Sequence, residues 1–334
     1  MAPTRIEGTD PIVRKAQLAG GSTFTISLPK HWAERQSIER GSDVYLYPLE
    51  DRVVVAPVAL APETHSTTIA ADDVDEVALT RRIRAAYAAG NDSIAVSATD
   101  GLGADERRLA TRRLRDLVGF DVTTTRNGRV EARSLLDTAE VSLAQTVAQL
   151  RRLTTSMHLD AARAIAENDV ERVATVDGQA ADVDRQVALV HRQFTRALAD
   201  VATLEHLETD RLTAFHHYRS ATHLGDIAAH ATAIACRAED EQSERPPAAV
   251  GDALQIVAAR LHDLVAAALD TPDGEFERGR EEFEAVTAEL EAVLADADVA
   301  SVRYGRIVGR YRAAAATAAT IATARVGRSG TDGG

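Results

Sequence analysis

Hydrophobic positions recur every three or four residues along most of the chain from residue 135 onward, which is typical of long amphipathic helices. The first predicted helix has two lines of core positions: Leu136, Leu143, Leu150, Met157 and Ala164, with Val147 and Ala161. In the second, steps of four and three alternate at Val176, Ala180, Val183, Val187, Val190, Phe194, Ala197, Val201 and Leu204. Such a pattern requires long antiparallel packing, so we predict a helical bundle over residues 135–326.

Two adjacent prolines divide the predicted bundle into halves. A third helix is expected at 210–239, and Pro246 and Pro247 then interrupt the pattern. Hydrophobic positions predict three further helices, around Leu254–Leu264, Phe276–Val293 and Ile307–Val326. Three helices, a proline break and three helices suggest a duplicated three-helix unit. Residues 327–334 are expected to form a disordered tail.

The first 60 residues follow a different pattern, which predicts a β-rich domain at 1–60. Apolar and small polar residues alternate on both sides of a glycine-containing turn, Ala19–Ser22, and this indicates a β-hairpin. Pro29 suits the start of a short helix, and a second strand pair follows. The predicted elements are Ile12–Leu18, Thr23–Leu28, Lys30–Gln36, Asp43–Pro48 and Arg52–Pro57. So short a unit cannot bury a large core alone, and we expect it to dimerise.

Between these two regions, residues 64–134 are predicted to form a small α/β connector domain. Its pattern is β-α-β-α-β-β, with helices expected at 77–89 and 104–118 and a closing hairpin around Arg126–Gly128. The expected fold class of the whole chain is therefore mainly α. It comprises an N-terminal β-hairpin domain, a small α/β connector and a C-terminal helical bundle.

The net charge of −13 is distributed unevenly along the chain. Residues 1–57 carry seven cationic and seven anionic side chains, so a polyanionic partner fits only this end. Lys15 and Lys30 are the only lysines beside 36 arginines. This bias suggests a halophile-like, salt-rich cytoplasm, although high genomic GC content would also replace lysine by arginine. High salt weakens counterion release, so few cations are compatible with DNA binding.

Four residues near the hairpin are candidates for DNA contacts. Arg14, Lys15 and Lys30 are cations at the hairpin and at the start of the short helix, where phosphate contacts are expected, and Gln17 suits the reading of a base edge. The alternative is that all four are ordinary solvated surface side chains. The chain has no nucleophile elbow, metalloprotease motif or Walker loop. We therefore expect no enzyme activity, no catalytic residues and no cofactor.

A set of residues in this region occurs in an order known from one family. The set comprises Arg14, Lys15, Gln17, Gly20, the run Thr25–Lys30, Trp32 and Gly41, followed by the second strand pair. It resembles the AbrB/SpoVT swapped-hairpin domain. The resemblance implies a dimeric DNA-binding fold with Arg14, Lys15, Gln17 and Lys30 at the DNA. Related hairpin domains also serve only for dimerisation, so both functions are open.

Several runs of the helical region carry a second resemblance. They are Leu135–Asp137, Val141–Ser142, Met157 with Asp160–Ala161, Val176–Asp177 to Val183–Asp184, Arg192–Phe194 and Leu224–Ala235. They are similar to the PhoU family of phosphate-signalling proteins, and the join to an AbrB-like hairpin resembles archaeal regulators in which the two are fused. The resemblance implies a homodimeric regulator of phosphate uptake or phosphate-responsive transcription. The alternative is an adaptor that contacts a phosphate transporter or histidine kinase.

The metal-binding carboxylates that the PhoU resemblance implies are incomplete. Its pattern of carboxylates four residues apart would pair Ala180 with Asp184, and Gly225 with Ala229. Side chains seven residues apart nevertheless form two polar rows: Asp177, Asp184 and His191, and His216, His223 and His230. If the rows met, they would offer N and O ligands to a transition metal. The alternative is hydrogen bonding beside the core, and we predict no metal site.

The remaining sequence signals indicate a cytoplasmic protein. Cys236 is the only cysteine, which excludes an intramolecular disulfide and fits a reducing compartment. No run of about 18 apolar residues predicts a membrane span. The N-terminus lacks the basic and then apolar order of a signal peptide.

Overall fold

Helices dominate the structure, which is a computed structural model of the chain, and the predicted fold class, mainly α, is confirmed. The structure describes residues 12–48, 53–57, 65–126, 128–135, 141–199, 203, 207, 209–238, 245–270, 273–297 and 302–326. Several predicted features lie outside the described residues: Leu136, Val201, Leu204, Asn127 in the hairpin turn, and the tail 327–334. The chain divides into two units, Met1–Glu63 and Thr64–Gly334, which are described separately.

The first unit contains two antiparallel strand pairs and one short helix. Strands β1 and β2 form the first pair, helix α1 follows, and strands β3 and β4 form the second pair. Their bounds are β1 Gln17–Ala19, β2 Thr23–Thr25, α1 Lys30–Arg35, β3 Tyr45–Pro48 and β4 Val53–Ala56. The prediction of a strand from Ile12 was wrong, because β2 ends at Thr25 and within the described unit pairs only with Gln17–Ala19.

The second unit begins with an α/β layer whose elements follow the predicted order. Its bounds are β5 Ser66–Ala70, α2 Glu76–Ala88, β6 Ser93–Ser97, α3 Ala104–Arg115, β7 Phe120–Arg126 and β8 Arg129–Ser134. The strands lie in the order β5-β6-β8-β7, in which only the β5–β6 pair is parallel. Leu79, Ile83 and Leu114 of the two helices pack on Ile94 and Val130 of the sheet.

Six helices follow the α/β layer in the described part of the chain. Their bounds are α4 Leu143–Glu167, α5 Val170–Ala199, α6 Arg211–Ala235, α7 Ala248–Asp270, α8 Asp273–Asp296 and α9 Val302–Val326. Helix α6 ends four residues earlier than predicted, in a 3₁₀ turn at Cys236–Ala238. Side chains of Ser142 and Asp210 cap α4 and α6. Asn168 ends α4 in the left-handed conformation, with φ 54°.

Most of the predicted core positions in the described bundle are buried, and the others are half-buried against the same core: Ala180, Val187, Phe194, Val286 and Val293. Leu143, Leu150, Met157 and Ala164 all lie in one hydrophobic core together with the described core residues of the other helices. Helix α4 packs against α5, α6 and α7, and α9 packs against α6 and α7. Helices α7 and α4 approach closely, because a Cβ added at Gly251 would lie 3.0 Å from the Ala166 Cβ.

A buried arginine joins the α/β layer to the bundle within this unit. The side chain of Arg192 in α5 is 1% exposed, and its Nη2 donates to Asp92 Oδ1 at 3.1 Å. Arg192 Nη1 donates to the carbonyl oxygens of Asn91 at 2.5 Å and Tyr87 at 3.3 Å. Arg196, one turn further along α5, donates to the same Asp92 oxygen.

Asp92 also holds the two ends of the α/β layer. Its Oδ2 accepts a hydrogen bond from His65 N at 3.1 Å, and its backbone N donates to His65 O at 2.6 Å. Its carbonyl oxygen accepts from Ser134 N at 2.8 Å. The start of the layer, the end of the layer and α5 therefore meet at one residue.

Candidate nucleic-acid interface

The first hairpin has one polar and one apolar face. Gln17 lies opposite Thr25, and Ala19 lies opposite Thr23, whereas Leu18 lies opposite Phe24. Residues directly opposite in an antiparallel pair point to the same side, and neighbours along a strand point to opposite sides. Gln17 is therefore on the polar face with the two threonines, and the Thr25 hydroxyl donates to the Gln17 carbonyl oxygen at 3.2 Å.

The glycines at the tip of the hairpin adopt backbone conformations that other residues rarely take. Gly20 has φ 64° and Gly21 has φ 85°, as the tight connection between β1 and β2 requires. A Cβ at either position would meet no atom within 4 Å, so conformation rather than space accounts for glycine here. The predicted glycine-containing turn thus fixes the register that separates the two faces.

The structure places three of the four predicted DNA-contacting residues together on the chain that enters the hairpin. Arg14 and Lys15 lie just before β1, separated from it by Ala16; Gln17 is the first residue of β1, and all three predicted residues are exposed. Arg14 Nη1 donates only to the carbonyl oxygen of the preceding residue, at 3.1 Å, among the hydrogen bonds of described residues. Two solvated cations and one amide are therefore available beside the polar face.

Lys30, the fourth predicted residue, lies on a different element. It is the first residue of α1, whose N-terminal cap position is Pro29. Its Nζ lies 3.6 Å from Glu34 Oε1, with the two side chains 89% and 64% exposed, so the pair is weak. Within the described chain, no hydrogen bond or ion pair joins Lys30 to Arg14, Lys15 or Gln17.

Large apolar side chains are exposed throughout this unit, and none of them was among the predicted site residues. Leu18 is 60% exposed and Phe24 is 72% exposed on the apolar face, and Ile26 is 64% exposed just beyond β2. In the unit's described part, Ala56 alone is buried. The alternation in Thr23–Leu28 was the available signal, because every second residue is apolar. A surface of this kind marks an interaction site.

The polar rows considered for metal binding do not meet as a ligand cluster. Asp184 forms an ion pair with Arg84 at 2.6 Å, and His191 Nε2 lies 2.8 Å from Thr222 Oγ1. Burial lowers the pKa of His191. In the described ranges, no group of three or more His, Cys, Asp and Glu side chains is placed to hold a metal ion. These side chains instead make hydrogen bonds and ion pairs at the edge of the core.

A family model matches part of this chain, within the hairpin unit. Residues 17–62 are similar to the family described as antidote-toxin recognition MazE, bacterial antitoxin. Neither the curated proteins nor the solved structures include a match to the chain. The match supports the AbrB-like nature of the N-terminal domain, which indicates a DNA-binding or antitoxin-like regulator. It does not reach the helical region, and the PhoU resemblance stays a prediction.

The described residues contain no helix that is long and apolar enough to span a membrane.

Proposed function

We propose that this protein is a homodimeric, DNA-binding transcription regulator. Its N-terminal hairpins pair through their apolar faces, and Arg14, Lys15, Gln17 and Lys30 of each protomer contact DNA. The helical region receives the signal that controls DNA binding. Enzymatic activity and a cofactor form no part of this proposal.

The two-faced hairpin is the observation that supports the proposal most directly. Leu18 and Phe24 would be left in water by a monomer, and burying a large apolar side chain contributes about 1.5–3 kcal/mol. Dimerisation through this side would leave the polar side, with Gln17, free for a ligand. The family match over residues 17–62 supports the same assignment.

Electrostatics favour this unit over the rest of the chain as the DNA-facing part. Residues 1–57 have no net charge, whereas residues 136–334 carry 32 carboxylates and 20 arginines. The excess of carboxylates in residues 136–334 repels a phosphate backbone, whereas residues 1–57 do not repel it. The logarithm of the DNA-binding constant should fall linearly with the logarithm of the salt concentration. Each of the three phosphate-contacting cations in a protomer would add about 0.9 to the steepness of that fall.

The signal that reaches the helical region is proposed from resemblance alone. Similarity to PhoU suggests that phosphate availability, through uptake or phosphate-responsive genes, is the signal in a cytoplasmic regulator. A phosphate transporter or histidine kinase is then the candidate protein partner.

Chromatin immunoprecipitation with sequencing tests the DNA-binding proposal under native salt. The tagged full-length protein is compared in phosphate-replete and phosphate-starved cells of its own host. We expect discrete peaks whose occupancy changes with phosphate. Peaks that do not respond to phosphate would support a DNA-binding regulator and would reject phosphate as its signal. No enrichment over an untagged control would instead favour an adaptor that uses the hairpin only for dimerisation.

Charge-reversal variants test the assignment of the DNA-contacting residues. Replacing Arg14 and Lys15 by Glu should abolish enrichment and leave the dimer intact. The matched control replaces Arg35 and Arg40, two exposed cations of the same unit, by Glu. Because both variants change the net charge equally, equal losses of binding would reject the assignment of Arg14 and Lys15.

Recognition of a toxin is a second candidate function, because the matching family is one of antitoxins that recognise toxins. In that case the chain should copurify stoichiometrically with a small protein from its host. Loss of this complex in variants of the hairpin unit, without any DNA enrichment, would distinguish this function from transcription regulation.

A further inference from the structure

A groove with three arginines lies where the end of α6 meets the first half of α9. It has a volume of about 280 Å³, and its cationic side chains are Arg237, from the 3₁₀ turn after α6, and Arg306 and Arg310 of α9. Arg306 and Arg310 are exposed, and Arg237 is half-buried. We call it the arginine groove.

The three guanidinium groups of the arginine groove have no acidic partner in the described part of the chain. No carboxylate of that part lies within 4.0 Å of Arg237, Arg306 or Arg310. Arg312 on the same helix provides the contrast, since it binds both carboxylate oxygens of Glu291 at 2.8 and 3.0 Å. An arginine of α9 can thus pair with a carboxylate, but this arginine lies outside the groove.

The concentration of positive charge here runs against the composition of the helical region. Residues 136–334 contain 32 carboxylates and 20 arginines, yet residues 299–331 contain six arginines and no carboxylate. Arg306 and Arg310 are also four residues apart, so they face each other on the helix surface and repel. An anion between them would remove that repulsion.

The positive potential of the groove extends to a neighbouring histidine. The pKa of His230 in α6 is lowered, first by burial and then by the charge of Arg310, while Asp226 on the same helix opposes the shift. His158 of α4 also interacts electrostatically with His230. His230 is therefore a natural reporter of charge in the groove.

Apart from Ile307, the uncharged residues that line the groove are small, and they leave room for a ligand. Ala233 and Ala313 line it, and a Cβ built at Gly309 would meet no atom within 4 Å. The guanidinium groups can therefore surround a compact anion at this point.

We propose that the arginine groove binds a small ligand that carries two or more phosphate groups. Guanidinium groups match phosphate oxygens with two parallel N–H donors each. Three of them offer a charge that one carboxylate would leave mostly uncompensated, whereas linked phosphates compensate it within a small volume. This ligand site goes beyond the DNA-binding proposal and does not depend on it.

Isothermal titration calorimetry of the full-length protein with inorganic pyrophosphate, at fixed ionic strength, tests the proposal. We expect saturable binding of one pyrophosphate per chain. The double variant Arg306→Ala, Arg310→Ala should bind about a hundredfold more weakly, because several charge-assisted hydrogen bonds are lost. The control Arg152→Ala, Arg278→Ala removes two exposed helical arginines outside the groove and should bind normally.

A second measurement reports on the site itself. In the wild type, the NMR-detected pKa of His230 should rise when pyrophosphate is added, because the ligand offsets the charge of Arg310. In the double variant the pKa of His230 should not respond to pyrophosphate. If the arginines affected only the stability of the helix, the effect of pyrophosphate on the pKa of His230 would be the same in the wild type and in the double variant.

Several results would overturn the proposal. They are the absence of saturable binding, equal affinity in the double variant, equal affinity for sulfate, or a preference for a polyglutamate peptide. A further variant tests the chain's own carboxylates as the partner of the groove, because residues 239–244 contain four of them. Binding that requires their replacement by amides would mean that the groove pairs with this stretch of the chain.

Discussion

Arg192 and Asp92 form a charged hydrogen bond of 3.1 Å between helix α5 and the α/β layer, with the arginine side chain 1% exposed and the aspartate side chain 20% exposed. The guanidinium group also lies 5.1 Å from the centre of the Tyr87 ring and 5.2 Å from that of Phe120. Burial lowers the pKa of Arg192, and the charge of Asp92 opposes that shift. The pair therefore holds a charge in a place where water is almost excluded.

Replacing Asp92 by Asn should destabilise the second unit by about 3 kcal/mol, because the buried charge of Arg192 would lose its counter-ion. Urea denaturation, followed by circular dichroism, measures the loss. The control is Asp182→Asn, which removes an exposed ion pair with Arg185 and should cost less than about 1 kcal/mol. Similar losses in the two variants would mean that the Asp92 pair contributes no more than a surface pair.

Acid should destabilise the bundle through His158. Burial lowers its pKa from 6.5 to about 4, and its Nε2 donates to Ile227 O at 3.0 Å. The unfolded state therefore binds the proton more readily than the folded state between these two pH values. The contribution of this histidine is complete above pH 6.5 and is lost as the pH falls towards 4. It amounts to about 3 kcal/mol.

The variant His158→Gln checks this pH dependence, since its amide can still donate to Ile227 O and does not titrate. The free energy of unfolding is measured from pH 7 to 4 in both proteins. We expect the wild type to lose more stability than the variant across this range. Parallel curves would assign the acid sensitivity to other groups.

Charged substitutions on the apolar face of the hairpin should separate the protomers. Phe24→Asp places a carboxylate at the proposed dimer contact, and analytical ultracentrifugation of the full chain should then show a monomer in place of a dimer. Thr23→Asp introduces the same charge on the opposite face of the same hairpin and should remain dimeric. A dimer in both variants would place the contact elsewhere.

Two glycines in helices should respond oppositely to alanine. Gly178 of α5 is exposed, and its added Cβ meets nothing within 4 Å, so Gly178→Ala should stabilise the protein by about 0.8 kcal/mol. Gly251→Ala places a Cβ 3.0 Å from the Ala166 Cβ, and separating the two helices should outweigh the gain in helix propensity. Thermal denaturation of both variants measures the signs, and a stabilised Gly251→Ala variant would contradict the close approach.

The bundle was predictable because the period of the apolar residues identifies the buried side of each helix directly. Leu150, Met157 and Val190 are fully buried where that period placed them. Arg192 shows the limit of such reasoning. Its environment depends on Asp92, one hundred residues earlier, and no periodic pattern predicts which charge a distant loop will supply.

Prediction of the candidate sites was limited in the same way. The sequence indicated Gln17 and its neighbours because a hairpin and its turn are local features. The arginine groove could not be predicted, because it forms where α6 and α9 meet in the fold. The stretch without carboxylates at 299–331 was nevertheless visible in the sequence. The length of β1 also depends on tertiary context, because a strand extends only as far as it finds a partner.

The two ends of the α/β layer meet at Asp92, which bonds to both His65 and Ser134. A segment whose two ends meet can be gained, lost or exchanged as one piece with little displacement of the flanking chain. The layer is therefore a segment that can be replaced as a whole, and in the sequence it lies between the hairpin unit and the helices. A different segment at this point would have to supply its own counter-ion for Arg192, because Asp92 of the layer provides it in this chain.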